Sequence, residues 1–246
     1  MRLNGKTAIV TGAGSGFGAG IAAKFAAEGA RVMVADINEA AARAIAEQIG
    51  GIAQVVDVAN GDSIQTMAEA AQVAFGDVDI LVNNAGVTHL PGPLETISVA
   101  DFDRVLAVNV KSVYLSARAF VPQMKERRAG AILNIASTAG VSPRPNLNWY
   151  NASKGWVITA TKTMAVELAP FGIRVNALNP VAGETPLLKS FMGEDTPEMR
   201  AKFLATIPLG RFSTPQDMGN AAAFLCSDEA SMITGVAMEV DGGRCI

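Results

Sequence analysis

Short runs of β-branched and aliphatic residues alternate along this chain with longer alanine-rich amphipathic stretches, and this alternation strongly constrains the fold. Runs such as Thr-Ala-Ile-Val and Ala-Ile-Leu-Asn-Ile are almost continuously apolar, which is typical of parallel strands covered on both faces. Strand–helix alternation implies right-handed crossovers between the strands. The sequence therefore predicts an α/β fold with a doubly wound parallel sheet.

The expected elements divide the chain evenly. Strands are predicted at 6–11, 31–36, 52–56, 80–83, 131–136, 174–178 and 237–240, and helices at 17–28, 38–48, 61–75, 101–127, 150–169 and 214–226. No linker or repeat interrupts them, so we predict one domain, 1–246, around a seven-stranded Rossmann-like sheet. Residues 180–213, rich in Pro, Gly and Met, are interpreted as an insertion over the ligand crevice: a mobile lid or an ordinary surface helix pair.

Composition excludes several classes of function. Half of the residues are apolar, yet no apolar run approaches the ~20 residues of a membrane span, and no signal segment is recognised. The net charge is −3 without a basic stripe, which argues against nucleic-acid binding. We expect a cytoplasmic protein that acts on a small molecule.

Few residues are suited to bind a metal. Cys226 and Cys245 lack metal-ligand spacing and fit a reducing compartment as one core thiol and one tail thiol. His89 is the single histidine, so neither a histidine-rich metal site nor a Ser-His-Asp triad is expected.

A glycine-rich turn follows the first predicted strand and opens the first helix, as Thr11-Gly-Ala-Gly-Ser-Gly-Phe-Gly18. Its spacing, Gly12-x-x-x-Gly16-x-Gly18, departs from the common G-x-G-x-x-G dinucleotide pattern. The physical consequence is the same, since glycines let backbone N–H groups at a helix N-terminus approach a diphosphate. The turn alone is weak evidence, because purely structural turns use the same residues.

Asp36 strengthens the dinucleotide interpretation, because it ends the second predicted strand 18 residues after Gly18. A carboxylate there can accept hydrogen bonds from ribose hydroxyls and repels a 2′-phosphate. Neither Ser15, Ile37 nor Asn38 is the basic residue that a 2′-phosphate requires. The sequence favours NAD(H) over NADP(H), although Asp36 can alternatively cap the next helix.

Tyr150 and Lys154 are four positions apart and share one face of a predicted helix. A free tyrosine titrates near ~10, and a lysine cation beside it stabilises the tyrosinate. Ser137 ends the fifth predicted strand and can orient a carbonyl or alcohol oxygen. We predict acid/base chemistry at Tyr150.

Taken in order, these motifs resemble those of the short-chain dehydrogenase/reductase family, especially its acyl-carrier-protein ketoreductase-like and sugar or secondary-alcohol dehydrogenase members. The resemblance extends over nearly the whole chain and is carried by Thr11 to Gly18, Asp57, Asn83-Asn-Ala-Gly86, Asn109, Ser137, Tyr150, Lys154, Asn179-Pro180 and Asp241-Gly-Gly243.

The resemblance implies a catalytic tetrad of Asn109, Ser137, Tyr150 and Lys154, in which Lys154 also holds the nicotinamide ribose and Asn109 positions a relay water. The cofactor-binding residues that we infer are Gly12, Ser15, Gly16, Phe17, Gly18, Asp36, Ile37, Asp57, Val58, Asn83, Ala85, Gly86, Tyr150, Lys154, Pro180, Val181 and Thr185. Asn83 and Asn84 can equally be structural. The chain departs from the family at Val181, where the family often has glycine.

Substrate residues are inferred from their positions after the relevant strands: His89, Thr138, Arg144, Asn146, Asn148, Trp149, Glu184 and 186–207. Arg144 can clamp a carboxylate or phosphate, or can be solvated or hold a subunit contact. The set indicates a small polar or anionic substrate.

The expected function is interconversion of a secondary alcohol and a ketone with NAD(H). Two alternatives are an NADPH-dependent 3-oxoacyl-acyl-carrier-protein reductase and a non-catalytic NAD(H) sensor or scaffold. Asp36 opposes the first, and the intact tetrad opposes the second. The resemblance also implies a homotetramer, formed through helices 101–127 and 150–169 and the last strand.

Overall fold

The computed structural model describes all 246 residues and contains one seven-stranded, wholly parallel sheet. The predicted α/β, doubly wound, Rossmann-like single domain is confirmed. The strand order is β3-β2-β1-β4-β5-β6-β7. The strands are β1 Thr7–Thr11, β2 Arg31–Asp36, β3 Ile52–Val55, β4 Ile80–Asn83, β5 Gly130–Ile135, β6 Ile173–Pro180 and β7 Ala237–Val240.

Nine α-helices connect and cover the strands. They are α1 Gly16–Ala27, α2 Glu39–Ile49, α3 Gly61–Phe75, α4 Val99–Leu106, α5 Ser112–Arg127, α6 Asn148–Leu168, α7 Leu188–Met192, α8 Pro197–Leu204 and α9 Pro215–Cys226. None of these helices combines the length and the apolar character needed to cross a membrane.

The continuous apolar runs are explained by two core clusters, one on each face of the sheet. Ala8 and Val10 of β1 belong to a cluster of 23 buried residues that includes Phe25 of α1. Ile9, between them, belongs to a second cluster of 17 that includes Met67 of α3. Successive side chains of a strand point to opposite faces, so in a strand buried on both sides nearly every side chain faces a core and is apolar.

The direction of strand succession reverses beside β1, which pairs with β2 on one side and with β4 on the other. In open parallel sheets the crevice at such a switch point, outside the carboxyl ends of the strands, is where ligands bind. The fold therefore places the glycine-rich turn after β1 and the segment after β4 at one crevice.

One predicted helix, 101–127, is interrupted. Between α4 and α5 the backbone forms a π-helical turn, Ala107–Lys111. Such turns contain one extra residue and often occur at functional sites. The periodicity of apolar residues does not show an insertion of this kind, and the turn holds Asn109.

Residues 180–213 contain α7 and α8 rather than a loop without regular structure. These helices pack on a satellite cluster of five buried residues: Val181, Leu188, Met192, Ile207 and Phe212. The helix-pair interpretation of this segment matches the structure, and its role as a mobile lid stays a prediction.

Candidate active site

A cleft of about 730 Å³ opens at the carboxyl ends of the central strands. It has the size typical of ligand sites. Its lining includes almost all of the cofactor residues predicted from the sequence: Gly12, Ser15, Gly16, Phe17, Gly18, Asp36, Ile37, Asp57, Val58, Ala85, Gly86, Tyr150, Lys154, Pro180, Val181 and Thr185.

The glycine-rich turn forms one end of this cleft. Gly12 and Gly16 have φ angles of 63° and 55°, in the left-handed region where a Cβ atom is unfavourable. A Cβ atom on Gly18 would lie 2.2 Å from the carbonyl oxygen of Gly12, so the turn tolerates no side chain there. The backbone consequently lies open to a ligand.

The N-terminus of α1 has no side-chain cap, because Ser15 forms no capping hydrogen bond. By contrast, α2, α3 and α9 are capped by Asn38, Asn60 and Thr214. Uncapped N–H groups and the positive end of the helix dipole attract an anion. The turn and this helix end together fit a diphosphate.

Asp36 is held at the same end by two backbone N–H groups. Its Oδ2 accepts a hydrogen bond from Gly14 at 2.9 Å, and its Oδ1 accepts one from Asn38 at 2.9 Å. The cap of α2 is Asn38, whose side chain accepts from Ala41. Asp36 does not cap this helix, and each carboxylate oxygen keeps a further lone pair for ribose hydroxyls.

Tyr150 and Lys154 lie together on α6 at the other end of the cleft, with Lys154 Nζ 5.9 Å from the centre of the Tyr150 ring. Lys154 Nζ also donates to the carbonyl oxygen of Ile135 at 2.8 Å. Ser137 is fixed in turn, because its Oγ accepts from the Ala139 N–H at 3.0 Å. The three side chains predicted to act together are therefore adjacent.

Burial changes the titration of both ionisable groups. It raises the pKa of Tyr150 to about 12, against which the hydrogen bond with Ser137 acts in the lowering direction. Burial also lowers the pKa of Lys154 to about 8. Each shift disfavours the charged form of its group, which is the usual effect of removing an ion from water.

Asn109 reaches this centre from the π-helical turn. Its Oδ1 accepts from the N–H of Val87 at 2.9 Å, and its Nδ2 donates to Val87 O at 2.9 Å and to Ser153 Oγ at 3.0 Å. Asn109 does not line the cleft itself. Its side chain ties the segment after β4 to α6.

Asn83 and Asn84 have structural contacts. Asn83 Nδ2 donates to Asn134 Oδ1 at 2.8 Å, and Asn83 does not line the cleft. Asn84 Nδ2 donates to the carbonyl oxygens of Thr11 and Gly12 at 2.8 and 3.1 Å. Asn84 thereby connects the segment after β4 to the glycine-rich turn.

The departure at Val181 has a clear cause. Its side chain enters the satellite cluster and is 4% exposed. The glycine that this segment needs lies two residues later, since a Cβ atom on Gly183 would be 2.2 Å from the Phe17 ring.

Among the predicted substrate residues, Thr138 and Arg144 line the cleft, whereas His89, Asn146, Asn148, Trp149 and Glu184 do not. His89 is buried, and its Nδ1 contacts the carbonyl oxygen of Leu90 at 2.8 Å. Trp149 donates to Leu94 O and packs edge-on against Phe102. The start of α6 therefore directs Trp149 away from the cleft.

The predicted segment 186–207 contributes Pro186, Leu187, Phe191 and Phe203 to the lining, whereas sequence reasoning missed Val87, Ser142 and Asn151. Asn151 adjoins Tyr150 and is the one that motif spacing could have found. The two phenylalanines belong to helices that carry no motif.

These features are those of an oxidoreductase that uses a nucleotide cofactor. A family model described as "Enoyl-(Acyl carrier protein) reductase" matches residues 12–244. The chain belongs to the short-chain dehydrogenase/reductase family.

Characterised relatives cover the whole chain. It is 47% identical over 252 residues to 4-formylbenzenesulfonate dehydrogenase TsaC1/TsaC2 of Comamonas testosteroni, covering 100% of both chains. It is 41% identical to D-threitol dehydrogenase of Mycolicibacterium smegmatis, covering 100% of this chain and 95% of the relative. A crystal structure of 3-ketoacyl-(acyl-carrier-protein) reductase from Brucella melitensis complexed with NADH superposes with a TM-score of 0.94 at 52% identity, covering 99% of this chain and 100% of that one.

Proposed function

We propose that this protein is an NAD(H)-dependent oxidoreductase that interconverts a secondary alcohol and a ketone. The observation that carries the proposal is the cleft itself, which has Asp36 and the uncapped α1 at one end and Ser137, Tyr150 and Lys154 at the other. A dinucleotide bound along it reaches from a ribose-binding carboxylate to an acid/base group.

The chain's own residues supply binding and proton transfer, and the nicotinamide ring, when bound, supplies hydride exchange. Ser137 holds the substrate oxygen by a hydrogen bond. Tyr150 takes the alcohol proton in oxidation and returns it in reduction. Lys154, whose pKa is about 8, is a cation at neutral pH, and a cation beside the Tyr150 ring stabilises the tyrosinate. The hydrogen bond with Ser137 acts against the burial that raises the pKa of Tyr150.

The preference for NAD(H) is supported by the charges around Asp36. Its carboxylate is bonded only to backbone N–H groups, so no cation neutralises it. None of the basic residues that line the cleft contacts Asp36: Arg104 bonds to Asp101, Arg144 stacks on Phe203 and Lys154 bonds to Ile135. A 2′-phosphate would meet an uncompensated negative charge.

The names of the relatives are consistent with more than one substrate class for this protein. Their names cover an aryl aldehyde with a sulfonate, a neutral polyol and an acyl group on a carrier protein. The carrier-protein reaction with NADPH is disfavoured here by Asp36 and by the acidic balance of the chain. A sensor or scaffold would have no need of an intact Ser137, Tyr150 and Lys154.

The quaternary structure and compartment that we propose are a homotetramer in the cytoplasm. Apolar side chains on α6 support self-association, since Trp156 and Val166 are 41% and 76% exposed. The free thiols of Cys226 and Cys245 support a reducing compartment. Sedimentation equilibrium of the purified protein tests the tetramer.

Substitution of Tyr150 tests the chemistry. Purified protein with NAD⁺, and separately with NADP⁺, is assayed against secondary alcohols, polyols, sugars and hydroxy acids at the reduced-nicotinamide absorbance. Tyr150→Phe should lower turnover of the active class by at least about a hundredfold, the usual contribution of a general acid–base group. NADH should still bind, because most of the inferred cofactor-binding residues lie elsewhere along the cleft and are unchanged.

The matched control is Tyr114→Phe, because the chain has 2 tyrosines and Tyr114 is 52% exposed on α5. This variant should keep full activity. Turnover by Tyr150→Phe near that of the unsubstituted protein would remove the proposed mechanism. Tight NADH binding without turnover of any class would favour the sensor.

A further inference from the structure

Arg144 is an arginine of the cleft without a counter-ion. It lies in the loop between β5 and α6, half-buried, with its guanidinium 4.2 Å from the centre of the Phe203 ring. Six other arginines of the chain form ion pairs with carboxylates, and Arg144 forms none. Its one side-chain hydrogen bond is a long contact of 3.5 Å from Nη2 to Thr206 Oγ1. Most of its five N–H donors are therefore available to a ligand.

A second unpaired arginine lies beside it. Arg244, near the C-terminus, donates from Nη1 to Ser142 Oγ at 3.3 Å, and Ser142 lines the cleft. The Nε of Arg244 is buried without any hydrogen-bond partner. Burial, and secondly the positive charge of Arg244, lower the pKa of Arg144. Two guanidinium groups thus repel each other at one end of the cleft.

Asp241, the acidic residue nearest to Arg244 in the sequence, does not neutralise the two arginines. Asp241 turns its carboxylate to the backbone, accepting from the N–H groups of Gly243 at 2.9 Å and Cys245 at 2.8 Å. Like charges held together without a counter-ion favour binding of an anion, which removes the repulsion and satisfies the free donors.

The surface between Tyr150 and Arg144 is apolar and aromatic. The Phe191 ring of α7 meets the Tyr150 ring edge-on, with centroids 5.1 Å apart, and Phe203 of α8 stacks under Arg144. Both phenylalanines line the cleft. Rings in such a wall suit a flat apolar ligand body.

We propose that Arg144, supported by Arg244, binds an oxyanion of the substrate, and that the substrate is an alcohol or ketone on an apolar, aryl-sized body. The carbinol or carbonyl carbon lies at Tyr150 and the oxyanion at the far end. This orientation rests on the proposed oxidoreductase function, whereas the oxyanion site itself does not.

Binding to an inactive protein tests the site without turnover. Tyr150→Phe protein saturated with NADH is titrated by calorimetry with 4-acetylbenzoate and with 4-acetylbenzamide, which has nearly the same shape and no charge. The carboxylate should bind at least about tenfold more tightly, the size of one charge-assisted hydrogen bond.

Arginine variants in the same background assign the preference. Arg144→Gln should reduce the preference for 4-acetylbenzoate over 4-acetylbenzamide to less than about twofold, by weakening carboxylate binding alone. Arg144→Lys, which keeps the charge, should retain part of this preference. Arg244→Gln should lower it by about threefold, since this charge acts at longer range. The control Arg43→Gln removes the same charge from an exposed ion pair with Glu39 and should change nothing.

The outcomes separate the two proposals. Equal binding of the carboxylate and the amide, no binding of either, or a preference that survives Arg144→Gln would overturn the oxyanion site. If Arg144→Gln loses NADH binding, the Arg144→Lys and Arg244→Gln results decide. A charge preference in a protein whose unsubstituted form turns over no alcohol would retain the site and refute the oxidoreductase function.

Discussion

The two ends of the cleft present different kinds of chemical group to a ligand. Around Gly12, Gly16 and Asp36, the ligand-facing groups are backbone N–H groups and one carboxylate, on elements packed into a cluster of 23 buried residues. The end near Arg144 is covered by α7 and α8, which share a cluster of five. One end recognises a ligand through main chain that a large core holds rigid. In the proposed function the other end recognises a ligand through side chains of the β5–α6 loop and α6, beneath a cover that only a small cluster anchors.

This difference predicts unequal sensitivity to substitution. Backbone recognition is sensitive to any added atom, because the main chain cannot move without disturbing the sheet. Side-chain recognition changes with the identity of the residue and leaves the sheet intact. Four substitutions or conditions test the contrast.

Gly18→Ala should have the largest effect on ligand binding. A Cβ atom would lie 2.2 Å from Gly12 O and 2.4 Å from Asn84 Nδ2, so the glycine-rich turn must shift. We expect NADH affinity to fall by about a hundredfold, as for a displacement of about 1 Å in a binding site. The free energy of unfolding should fall by about 1–3 kcal/mol. Fluorescence titration and urea denaturation measure the two quantities.

Gly61→Ala is the matched control, because the nearest atom to its added Cβ is 3.5 Å away. It should change the free energy of unfolding by no more than about 0.5 kcal/mol. If Gly18→Ala bound NADH as well as this control, the rigid-backbone description of the cofactor end would be wrong.

Asp36→Asn should act on cofactor choice. Loss of the charge weakens the hydrogen bonds available to the ribose, so kcat/KM with NAD⁺ should fall by about tenfold. Turnover with NADP⁺ should rise, because repulsion of the 2′-phosphate is removed. Steady-state kinetics with both cofactors measure the ratio, and Asp62→Asn, in the exposed first turn of α3, is the control. An unchanged ratio would mean that Asp36 does not select the cofactor.

A pair of leucines compares the two ends directly. Leu133 is fully buried in the larger cluster, and Leu188 is 3% exposed in the satellite cluster. Leu133→Ala should lower the global free energy of unfolding by about 2–5 kcal/mol. Leu188→Ala should lower it by less than about 1 kcal/mol, because α7 and α8 can open without unfolding the sheet.

Hydrogen exchange should show faster amide exchange in 188–204 of Leu188→Ala. Steady-state kinetics of this variant should show a raised KM for substrate, and fluorescence titration should show an unchanged NADH affinity. Equal loss of global stability in both variants would show that the satellite cluster belongs to the main core.

The smallest effect is a dependence of stability on pH. The pKa of Lys154 is about 8 in the folded protein, below its ordinary value of 10.5, so between these values the unfolded state binds more protons. Stability therefore gains from Lys154 as pH rises through this window, by about 1 kcal/mol or more. Burial raises the pKa of Cys226 and Cys245, so these thiols oppose the gain in the same window, equally in both proteins. Urea denaturation of cofactor-free protein at pH 7.5 and 9.5 should therefore show the Lys154 increment as the difference between the unsubstituted protein and Lys154→Met. The same increment in both would assign it to other groups.

Sequence reasoning was most accurate where one residue type has one physical use. Continuous apolar runs, Gly12 to Gly18, and Tyr150 with Lys154 placed every strand and both ends of the cleft, and each matched element boundary lies within two residues of its prediction. The central strands β1, β4 and β5 are buried on both faces, so their continuous apolar runs had one interpretation.

Reasoning failed where tertiary packing decides. Ser142 carries no motif and was missed. Phe191 and Phe203 lie within the predicted segment 186–207, but no motif singles them out, and only the folding of α7 and α8 over the cleft brings them to it. His89 looked exposed to ligand from its position after a strand, yet the loop turns its ring inward. Arg244 is 100 residues from Arg144 in sequence, so no local pattern could pair them.

The π-helical turn at 107–111 limits how this chain can change in length. A residue deleted from 107–111 would restore α-helical continuity and rotate everything before it by about 100° relative to α5. Asn109 would then swing away from Val87 and Ser153. Amino-acid replacements can accumulate on the outer face of α4 and α5, but a one-residue deletion there changes the register of the active site. Engineered versions of this scaffold should keep the spacing from Val99 to Arg127 fixed, whatever else they alter.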